Sequence, residues 1–213
     1  MVLHLTDYNM YEYEDKLIAA GKLYVCGVDE AGRGPLAGPV FAAAVILKPG
    51  VKLTRVDDSK KLSEKKRLSA LEEIKKHALS ISIAIGSVED IDRINIYRAT
   101  REAMESAIRH LSVAPDFILT DAMPLLAFRN VEDIIKGDQK SISIAAASIV
   151  AKTARDEYMK KMAELFPQYG FEKHKGYGTK EHMNALQIFG PCPIHRKSYQ
   201  PVKDVMHVLR KKM

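Results

Sequence analysis

Runs of apolar and alternating residues in the first half of the chain predict the strands of a sheet. Residues 22–28 alternate and then run apolar, and residues 39–47 form a second apolar stretch rich in Val and Ala. The turn between them is too short for a crossover helix, so these two strands should be antiparallel neighbours. Residues 79–86 alternate Ile and Ala with Ser and predict a third strand, which completes an antiparallel group.

Helical spacing and short connections predict the rest of the fold. The expected helices cover 7–22, 63–77, 87–110, 141–166, 180–189 and 201–212. An apolar strand at 117–120 stops at Asp121, and because a helix leads into it, it should pair in parallel. A further apolar stretch ends at 134–135. We therefore predict an α/β domain with a mixed sheet, three antiparallel strands plus parallel strands. Helices should flank this sheet, and a small helical segment should form the C-terminal end.

Length and composition are those of an ordinary globular protein. The chain has 213 residues, 46% hydrophobic and 28% charged, which suits one domain. Residues 1–22 carry scattered acids without the apolar segment of a signal peptide, and the longest apolar run, 40–47, is too short to span a bilayer. Two cysteines fit neither a disulfide framework nor a zinc site. We expect a cytoplasmic protein without a membrane partner.

The net charge of +6 is concentrated at the C-terminal end of the sequence. Residues 173–213 carry nine Lys and Arg and two acids, so the remaining 172 residues are close to neutral. This asymmetry predicts a polyanionic partner such as nucleic acid. On charge alone, a solvated helical face with a basic tail is an equally good interpretation.

Acidic residues follow several of the predicted strands. Asp29, Asp121 and Asp138 each lie at or just beyond the end of an apolar run, and Glu30 follows the first of them. The carboxyl ends of neighbouring strands meet at one edge of an open α/β sheet, so these acids should form an oxygen-rich cage. Such a cage suits Mg²⁺ or Mn²⁺ rather than zinc. One acid at a strand end is more often a turn residue or a helix cap, but several at the same edge favour a metal site.

Two geometric conditions apply to these acids. Adjacent strand residues point to opposite faces, so Asp29 and Glu30 share one site if the strand breaks or bulges there, as the following glycines would permit. Asp156 is a competing acid on the predicted helix 141–166. It lies roughly 27 Å beyond Asp138 along a helix, so both cannot be ligands of one site. We therefore choose Asp138 and interpret Asp156 as a partner of Lys152 or Lys160.

Three glycine- or lysine-rich loops are candidates for contact with a phosphate backbone. In Gly32-Arg33-Gly34 the glycines would let the backbone approach a ligand and Arg33 would reach a phosphate, although a tight hairpin turn explains the glycines equally well. Ser59, Lys60 and Lys61 place a hydroxyl and two ammonium groups together. Residues 173–179 set Tyr177 among cations, which suits stacking on a sugar or base. Each of these loops, taken alone, is more often an ordinary surface loop.

Together these motifs resemble the ribonuclease HII (type 2 ribonuclease H) family, nearly from end to end. The motif that carries most weight is Gly-Val-Asp-Glu-Ala-Gly-Arg-Gly-Pro at 27–35. The others are Ala-Gly-Pro-Val at 37–40, Asp-Ser-Lys-Lys-Leu at 58–62, Lys-Gly-Asp at 136–138, Ala-Ala-Ala-Ser-Ile-Val-Ala-Lys at 145–152, Lys-His-Lys-Gly-Tyr-Gly-Thr at 173–179 and Pro-Ile-His-Arg at 193–196. Ala122 stands after Asp121 where many members of the family have glycine.

The resemblance implies a ribonuclease H-like fold and cleavage of RNA in RNA–DNA hybrids, including incision at single ribonucleotides in duplex DNA. It implies two Mg²⁺ or Mn²⁺ ions and in-line attack of water, which gives 5′-phosphate and 3′-hydroxyl ends. The implied catalytic and metal-binding residues are Asp29, Glu30, Asp121 and Asp138. The implied substrate-binding residues are Gly32, Arg33 and Gly34 at the ribose 2′-OH and Tyr177 at the ribose–deoxyribose junction. As further candidates for substrate binding we add Ser59, Lys60, Lys61, Lys175 and Arg196.

The chain is also expected to consist of two parts with different roles. Residues 1–166 should form the catalytic core, and residues 167–213 should pack on it as a basic loop and helices that complete the substrate site of a monomer. Two alternatives belong to other functional classes. One is a non-catalytic protein that binds hybrids or duplexes, and the other is a metal-dependent DNA nuclease or phosphotransferase on the same fold. An all-DNA duplex beside a duplex with one ribonucleotide, each with and without Mg²⁺, distinguishes them.

Overall fold

A five-stranded mixed sheet organises the molecule in a computed structural model, which describes residues 9–57, 59 and 61–212. The strands are β1 Val25–Ala31, β2 Val40–Leu47, β3 Ala78–Gly86, β4 Phe117–Asp121 and β5 Val131–Ile134. Their order across the sheet is β3-β2-β1-β4-β5. β1 pairs antiparallel with β2 and β2 with β3, whereas β1–β4 and β4–β5 are parallel. The predicted mixed sheet is confirmed.

Helices cover both faces of this sheet and continue beyond it. They are α1 Glu12–Ala19, α2 Glu64–His77, α3 Val88–Ile94, α4 Ile96–Arg109, α5 Ile142–Leu165, α6 Phe171–His174, α7 Lys180–Phe189 and α8 Gln200–Lys212. Two short 3-10 turns lie at Gly137–Gln139 and Pro167–Tyr169. Within the described part of the chain, none of the helices combines the length and the apolar character needed to cross a bilayer.

The long helix α5 lies unusually close to the centre of the sheet. Its first half is almost entirely buried and consists mainly of small and β-branched residues. A Cβ atom on Gly27 of β1 would lie 2.0 Å from the carbonyl carbon of Ser143, so the strand and the helix meet through a glycine. On the opposite face α4 packs Met104 and Ile108 against the core. The close contact with α5 brings that helix alongside the sheet edge that carries the acids.

Three details of the helices differ from the sequence predictions. The helix expected over 87–110 is divided at Asn95, which has φ of +70° and whose side chain accepts the N–H of Arg98 at the start of α4. Asparagine tolerates positive φ and caps helices well, which explains the break. The first helix is shorter than expected, and residues 7 and 8 of that prediction lie outside the described residues. The loop expected at 171–179 begins with α6.

The C-terminal helices are joined to the rest of the molecule by an apolar cluster and by backbone pairing. Leu36, just after β1, packs with Leu186 of α7 and with Val202 and Val205 of α8. His195 forms an isolated antiparallel bridge with residue 37. These contacts place the C-terminal segment beside the turn that follows β1.

Candidate active site

Three aspartates meet at the carboxyl end of the parallel strands. Asp29 is in β1, Asp121 is the last residue of β4, and Asp138 lies in the 3-10 turn that precedes α5. The parallel register sets Val28 beside Thr120, so the acids that follow them are brought together. Each aspartate offers one carboxylate oxygen to a group in which all oxygens lie within 4.8 Å of one another. This convergence agrees with the position predicted for these three residues.

Neighbouring groups hold two of these carboxylates in place. The Oδ1 atom of Asp29 accepts the N–H of Glu30 at 2.7 Å, and the Ser148 hydroxyl donates to the same carboxyl group. The Oδ1 atom of Asp121 accepts the N–H of Gly137 at 2.8 Å. A Cβ atom on Gly137 would lie 2.6 Å from Cδ1 of Ile144 and 3.5 Å from Cα of Asp121, so the turn passes close to both residues.

Glu30 reaches the acids in a different way from the one we predicted. The expected strand break is absent, because β1 stays paired with β2 through Glu30, opposite Ala42, and Ala31. Glu30 is not one of the three closely grouped acids. Its charge nevertheless acts on them: burial raises the pKa of Asp29 well above its usual value, and the charge of Glu30 raises it further. An unbroken strand can therefore carry both acids. The Glu30 side chain starts on the opposite face of β1 from Asp29, and its charge still acts on Asp29.

The donor set fits a hard divalent cation. Among the described residues, Asp29, Asp121 and Asp138 are the group of acidic, His or Cys side chains close enough to share an ion, and all their donors are oxygens. The Oε2 atom of Glu30 is buried without a hydrogen-bond partner in the described chain, while Oε1 lies 3.3 Å from Nη1 of Arg33. Grouped carboxylates repel one another unless a cation or a proton compensates their charge. The site therefore fits Mg²⁺ or Mn²⁺, both of which prefer carboxylate oxygens.

A buried arginine holds the glycine-rich turn beside the acids. Arg196 donates from Nε to the carbonyl of Gly38 at 2.9 Å, from Nη1 to that of Arg33 at 2.8 Å, and from Nη2 to that of Gly32 at 2.5 Å. Its side chain has no exposed surface. This corrects the expectation that Arg196 binds substrate, because the guanidinium is enclosed by the turn. Its role is to position the turn.

A second buried arginine, Arg155 of α5, was not among the predicted site residues. It donates from Nε to the carbonyl of Pro39 at 3.3 Å and from Nη2 to the carbonyls of Ala37 and Lys175 at 3.2 and 3.0 Å. Gly32 has φ of +101°, and a Cβ atom there would lie 2.0 Å from Nε of Arg155. Burial lowers the pKa of Arg155 to about 10, so the guanidinium is still charged at neutral pH. The sequence feature that could have indicated a buried role for Arg155 is its position in a helix made largely of small residues.

The serine–lysine motif divides into a buried part and an exposed part. Ser59 is buried, and its Oγ atom lies 2.8 Å from Oγ of Ser148, behind Asp29. This corrects the expectation that Ser59 offers its hydroxyl to a phosphate, because the hydroxyl is enclosed. The Lys61 side chain is exposed and its Nζ atom lies 4.0 Å from the Asp57 carboxylate. Lys60 lies outside the described residues.

The loop that carries Tyr177 lies next to the glycine-rich turn. Tyr177 is 46% exposed, and its Cε1 atom lies 3.5 Å from the position that a Cβ atom on Gly34 would occupy. The N–H of Leu36 donates to the carbonyl of Gly176 at 2.8 Å and joins the two segments. Lys175 is partly buried, burial lowers its pKa, and its ammonium group donates to the carbonyl of Glu172.

Asp156 is held away from the acids by two cations. Its Oδ2 atom lies 3.1 Å from Nη2 of Arg67, and its Oδ1 atom lies 2.6 Å from Nζ of Lys152. Lys160 pairs instead with Glu64 of α2. The predicted pairing with Lys152 is confirmed, and the additional contact with Arg67 makes Asp156 a buried link between α2 and α5.

Comparison with known proteins identifies the family. The family model described as Ribonuclease HII matches residues 26–202. The ribonuclease HII of Bacillus licheniformis is 53% identical over 194 residues, which cover 91% of this chain and 76% of that protein. The ribonuclease HII of Listeria innocua is 52% identical over 195 residues, which cover 92% and 75%.

A solved structure supports the same fold. The ribonuclease H2 from Pyrococcus horikoshii OT3 superposes with a TM-score of 0.75 at 23% identity, over 88% of this chain and 99% of that one. The fold is therefore that of the type 2 ribonucleases H, as the resemblance implied. Together with the family match over residues 26–202, this means that the chain belongs to the ribonuclease HII family of metal-dependent endoribonucleases.

Proposed function

We propose that this protein hydrolyses the RNA strand of RNA–DNA hybrids and incises duplex DNA on the 5′ side of embedded ribonucleotides, with Mg²⁺ or Mn²⁺ as cofactor. The observation that carries the proposal is the convergence of three aspartate carboxylates within 4.8 Å. These acids lie on the same side of the molecule as a turn held by two buried arginines. A hydrolytic centre and a rigid recognition element are thus combined.

The acidic side chains would coordinate the metal ions. Asp29, Asp121 and Asp138 would bind them directly, and Glu30 would contribute its unpartnered Oε2 atom. Two ions held by these carboxylates would supply activation of the attacking water and stabilisation of the leaving 3′-oxygen. The protein orients the carboxylates beforehand: Ser148 and Gly137 hold two of them, so little reorganisation is needed when substrate arrives. We expect products with 5′-phosphate and 3′-hydroxyl ends.

Recognition of the ribose would depend on the Gly32-Arg33-Gly34 turn. Arg196 holds the carbonyls of Gly32 and Arg33, so the turn keeps one conformation. We assign contact with the 2′-OH to the peptide groups of this turn, since that hydroxyl distinguishes RNA from DNA. The partly exposed Tyr177 beside Gly34 would stack on the sugar at the ribose–deoxyribose junction.

The remaining cations would bind the phosphate backbone. We assign this role to Arg33, which contacts Glu30, and to Lys61 and Lys175, and we extend it to Lys60. We propose further that residues 167–213 complete the substrate site on a catalytic core formed by residues 1–166. The contact of Leu36 with α7 and α8 supports this division, because it joins the two parts next to the recognition turn. We expect a monomer to be sufficient for activity.

A substrate panel tests the proposed function. An all-DNA duplex, the same duplex with one ribonucleotide, and an RNA–DNA hybrid are incubated with the protein, each with Mg²⁺ and with EDTA. We expect cleavage of the second and third substrates with Mg²⁺, and none with EDTA or on all-DNA. Cleavage of the all-DNA duplex would instead indicate a DNA nuclease, and binding without product would indicate a non-catalytic protein.

The Tyr177→Ala variant tests the recognition of the junction. We expect slower incision at the single ribonucleotide, because a base- or sugar-stacking ring contributes about 1–3 kcal/mol to binding. The ring is exposed at the surface, so its removal should leave the thermal stability nearly unchanged. An unchanged rate of incision would remove Tyr177 from the site.

A further inference from the structure

Three histidines lie behind the loop that carries Tyr177. His174 ends α6, His182 is in the first turns of α7, and His195 precedes α8. The rings of His174 and His182 stack with centroids 4.6 Å apart, and those of His182 and His195 are 5.2 Å apart. His182 and His195 are 0% exposed, so their ring nitrogens must find partners within the protein.

The partners at the two ends determine which ring nitrogens carry hydrogen. The carbonyl of Tyr177 can only accept, so Nδ1 of His182, 2.9 Å away, carries the hydrogen. In a neutral ring Nε2 of His182 is then bare, and it lies 3.0 Å from Nε2 of His195, which must donate. Nδ1 of His195 is bare in turn, and the N–H of Cys192 donates to it at 3.0 Å.

This series of hydrogen bonds has one consistent direction. It begins at an obligatory donor, the N–H of Cys192, and ends at an obligatory acceptor, the carbonyl of Tyr177, so one arrangement of hydrogens satisfies every atom. A proton added to either ring would set two N–H groups face to face. Burial lowers the pKa of His195 to about 4 and also lowers that of His182, which keeps both rings neutral at pH 7.

His174 holds the other side of the same loop. Its Nδ1 atom accepts the N–H of Gly176 at 3.2 Å, and its Nε2 atom donates to the carbonyl of Tyr169 at 2.7 Å. The backbone carbonyl of His174 also accepts the N–H of Tyr177 at 2.9 Å. The peptide groups on both sides of Tyr177 are therefore fixed by histidines.

The position of the Tyr177 ring relative to the recognition turn depends on this loop. Gly176 has φ of +85°, and a Cβ atom there would lie 2.5 Å from the carbonyl oxygen of Ala37, so the backbones are in close contact. A small shift of the Gly176–Tyr177 backbone would separate the ring from Gly34. Because the ring is partly exposed, the protein packs against only part of it.

We propose that His182, supported by His174 and His195, is a positioning residue that sets Tyr177 against the Gly32-Arg33-Gly34 turn and thereby determines selectivity for the ribose–deoxyribose junction. The inference rests on the proposed function, in which Tyr177 reads that junction. The histidines do not touch substrate. Their loss should slow incision at a single embedded ribonucleotide more than cleavage within a long RNA–DNA hybrid, where most scissile bonds lie between ribonucleotides.

The first test measures the ring tautomers directly and does not depend on activity. Long-range ¹H–¹⁵N correlation spectra of the wild-type protein at pH 7 report which nitrogen of each histidine ring carries hydrogen. We expect Nδ1–H for His182 and Nε2–H for both His195 and His174. A different tautomer at His182 or His195, or a protonated ring, would overturn the directional series.

The second test compares rates on two substrates. His182→Phe preserves an aromatic ring but removes both nitrogens and therefore both ring hydrogen bonds. We expect the ratio of single-ribonucleotide to hybrid cleavage to fall about tenfold, the effect of losing the bond to the Tyr177 carbonyl. His182→Asn retains a donor near the position of Nδ1 and should recover much of the ratio. His207→Gln, on an exposed part of α8, is the control and should keep the wild-type ratio.

The outcomes separate this inference from the proposed function. If the wild-type protein cleaves neither substrate, the proposed function fails, while the tautomers still decide the structural part of the inference. If Tyr177→Ala lowers the ratio of single-ribonucleotide to hybrid cleavage but a folded His182→Phe does not, His182 does not position Tyr177. The proposed function of the protein is then unaffected. If His182→Phe does not fold, His174→Phe decides, because it removes the acceptor for the N–H of Gly176: an unchanged ratio in that folded variant contradicts the proposal.

Discussion

Replacing Asp29 by Asn should stabilise the metal-free protein while it weakens metal binding. Carboxylate oxygens of Asp29, Asp121 and Asp138 lie within 4.8 Å of one another. At that separation Coulomb's law gives roughly 1 kcal/mol per pair of charges in a water-like medium and roughly 3 kcal/mol at an effective dielectric constant of about 20. Asparagine keeps an oxygen that can accept the N–H of Glu30, so the substitution removes mainly the charge.

The size of the gain depends on pH in a definite direction. Burial and the neighbouring charges raise the pKa of Asp29 in the folded protein, so the fold favours its protonated form. The penalty for ionising it is absent below the unfolded pKa of about 4, grows as pH rises above that value, and is complete above the folded pKa. From the Coulomb energy of a pair of charges at this separation, we expect metal-free Asp29→Asn to be more stable than wild type by about 1–3 kcal/mol at pH 8. This advantage should vanish near pH 4.

Urea unfolding with EDTA and with Mg²⁺ measures both effects. Mg²⁺ should stabilise the wild-type protein by mass action and should stabilise Asp29→Asn much less. Asp133→Asn, which changes an exposed acid on β5, is the matched control and should behave as wild type in both conditions. Lower stability of Asp29→Asn than of Asp133→Asn in EDTA at pH 8, or equal stabilisation of the two variants by Mg²⁺, would refute this prediction.

Three further predictions concern backbone strain and a buried histidine. Gly32→Ala should lower both stability, by more than about 1 kcal/mol, and the cleavage rate, because φ is +101° and the new Cβ atom would lie 2.0 Å from Nε of Arg155; equal urea midpoints would contradict this. Ala122→Gly should instead leave the protein as stable or up to about 1 kcal/mol more stable, since Ala122 has φ of +48°, and a clear loss in the same assay would be a failure. Burial lowers the pKa of His195 to about 4, so the folded state favours the neutral ring and loses stability as pH falls from about 6.5 towards that value. As pH falls from about 6.5 to about 4, wild type should therefore lose about 3 kcal/mol of stability relative to His195→Gln, which has no ring to protonate. A stability difference that stays constant over this pH range would contradict the buried neutral ring.

Local sequence patterns were sufficient for the strands β1 to β4 and for the three aspartates, but not for β5, which carries two adjacent acids. The strands are short apolar or alternating runs, and the lengths of their connections determine which pairs are antiparallel and which are parallel. Asp29, Asp121 and Asp138 could be grouped because parallel strands end at a common edge. Asn95, by contrast, interrupts a helical pattern that has no proline or glycine, and its positive φ is visible only in three dimensions.

The buried polar residues could not be predicted in the same way. Arg155 and Arg196 are enclosed because backbone carbonyls of the distant segment 32–39 satisfy their guanidinium groups, and no local pattern reports such long-range partners. Ser59 was expected at the surface because a hydroxyl next to lysines normally is. The unbroken β1 was not predicted for a similar reason. Alternation along a strand tells only where the Cβ atoms point, whereas the Glu30 side chain is long enough to interact with groups on the other face.

The Asp121→Asn variant tests the central claim most directly. Asp121 joins the group of three aspartates from β4, and the change preserves its size and the acceptor for the N–H of Gly137. Cleavage of a DNA duplex with one ribonucleotide is measured with Mg²⁺, together with binding to an RNA–DNA hybrid, for this variant and for Asp133→Asn. We expect Asp121→Asn to bind the hybrid nearly as wild type does and to give no product, whereas Asp133→Asn cleaves normally. Cleavage by Asp121→Asn at a rate within tenfold of wild type would contradict the account.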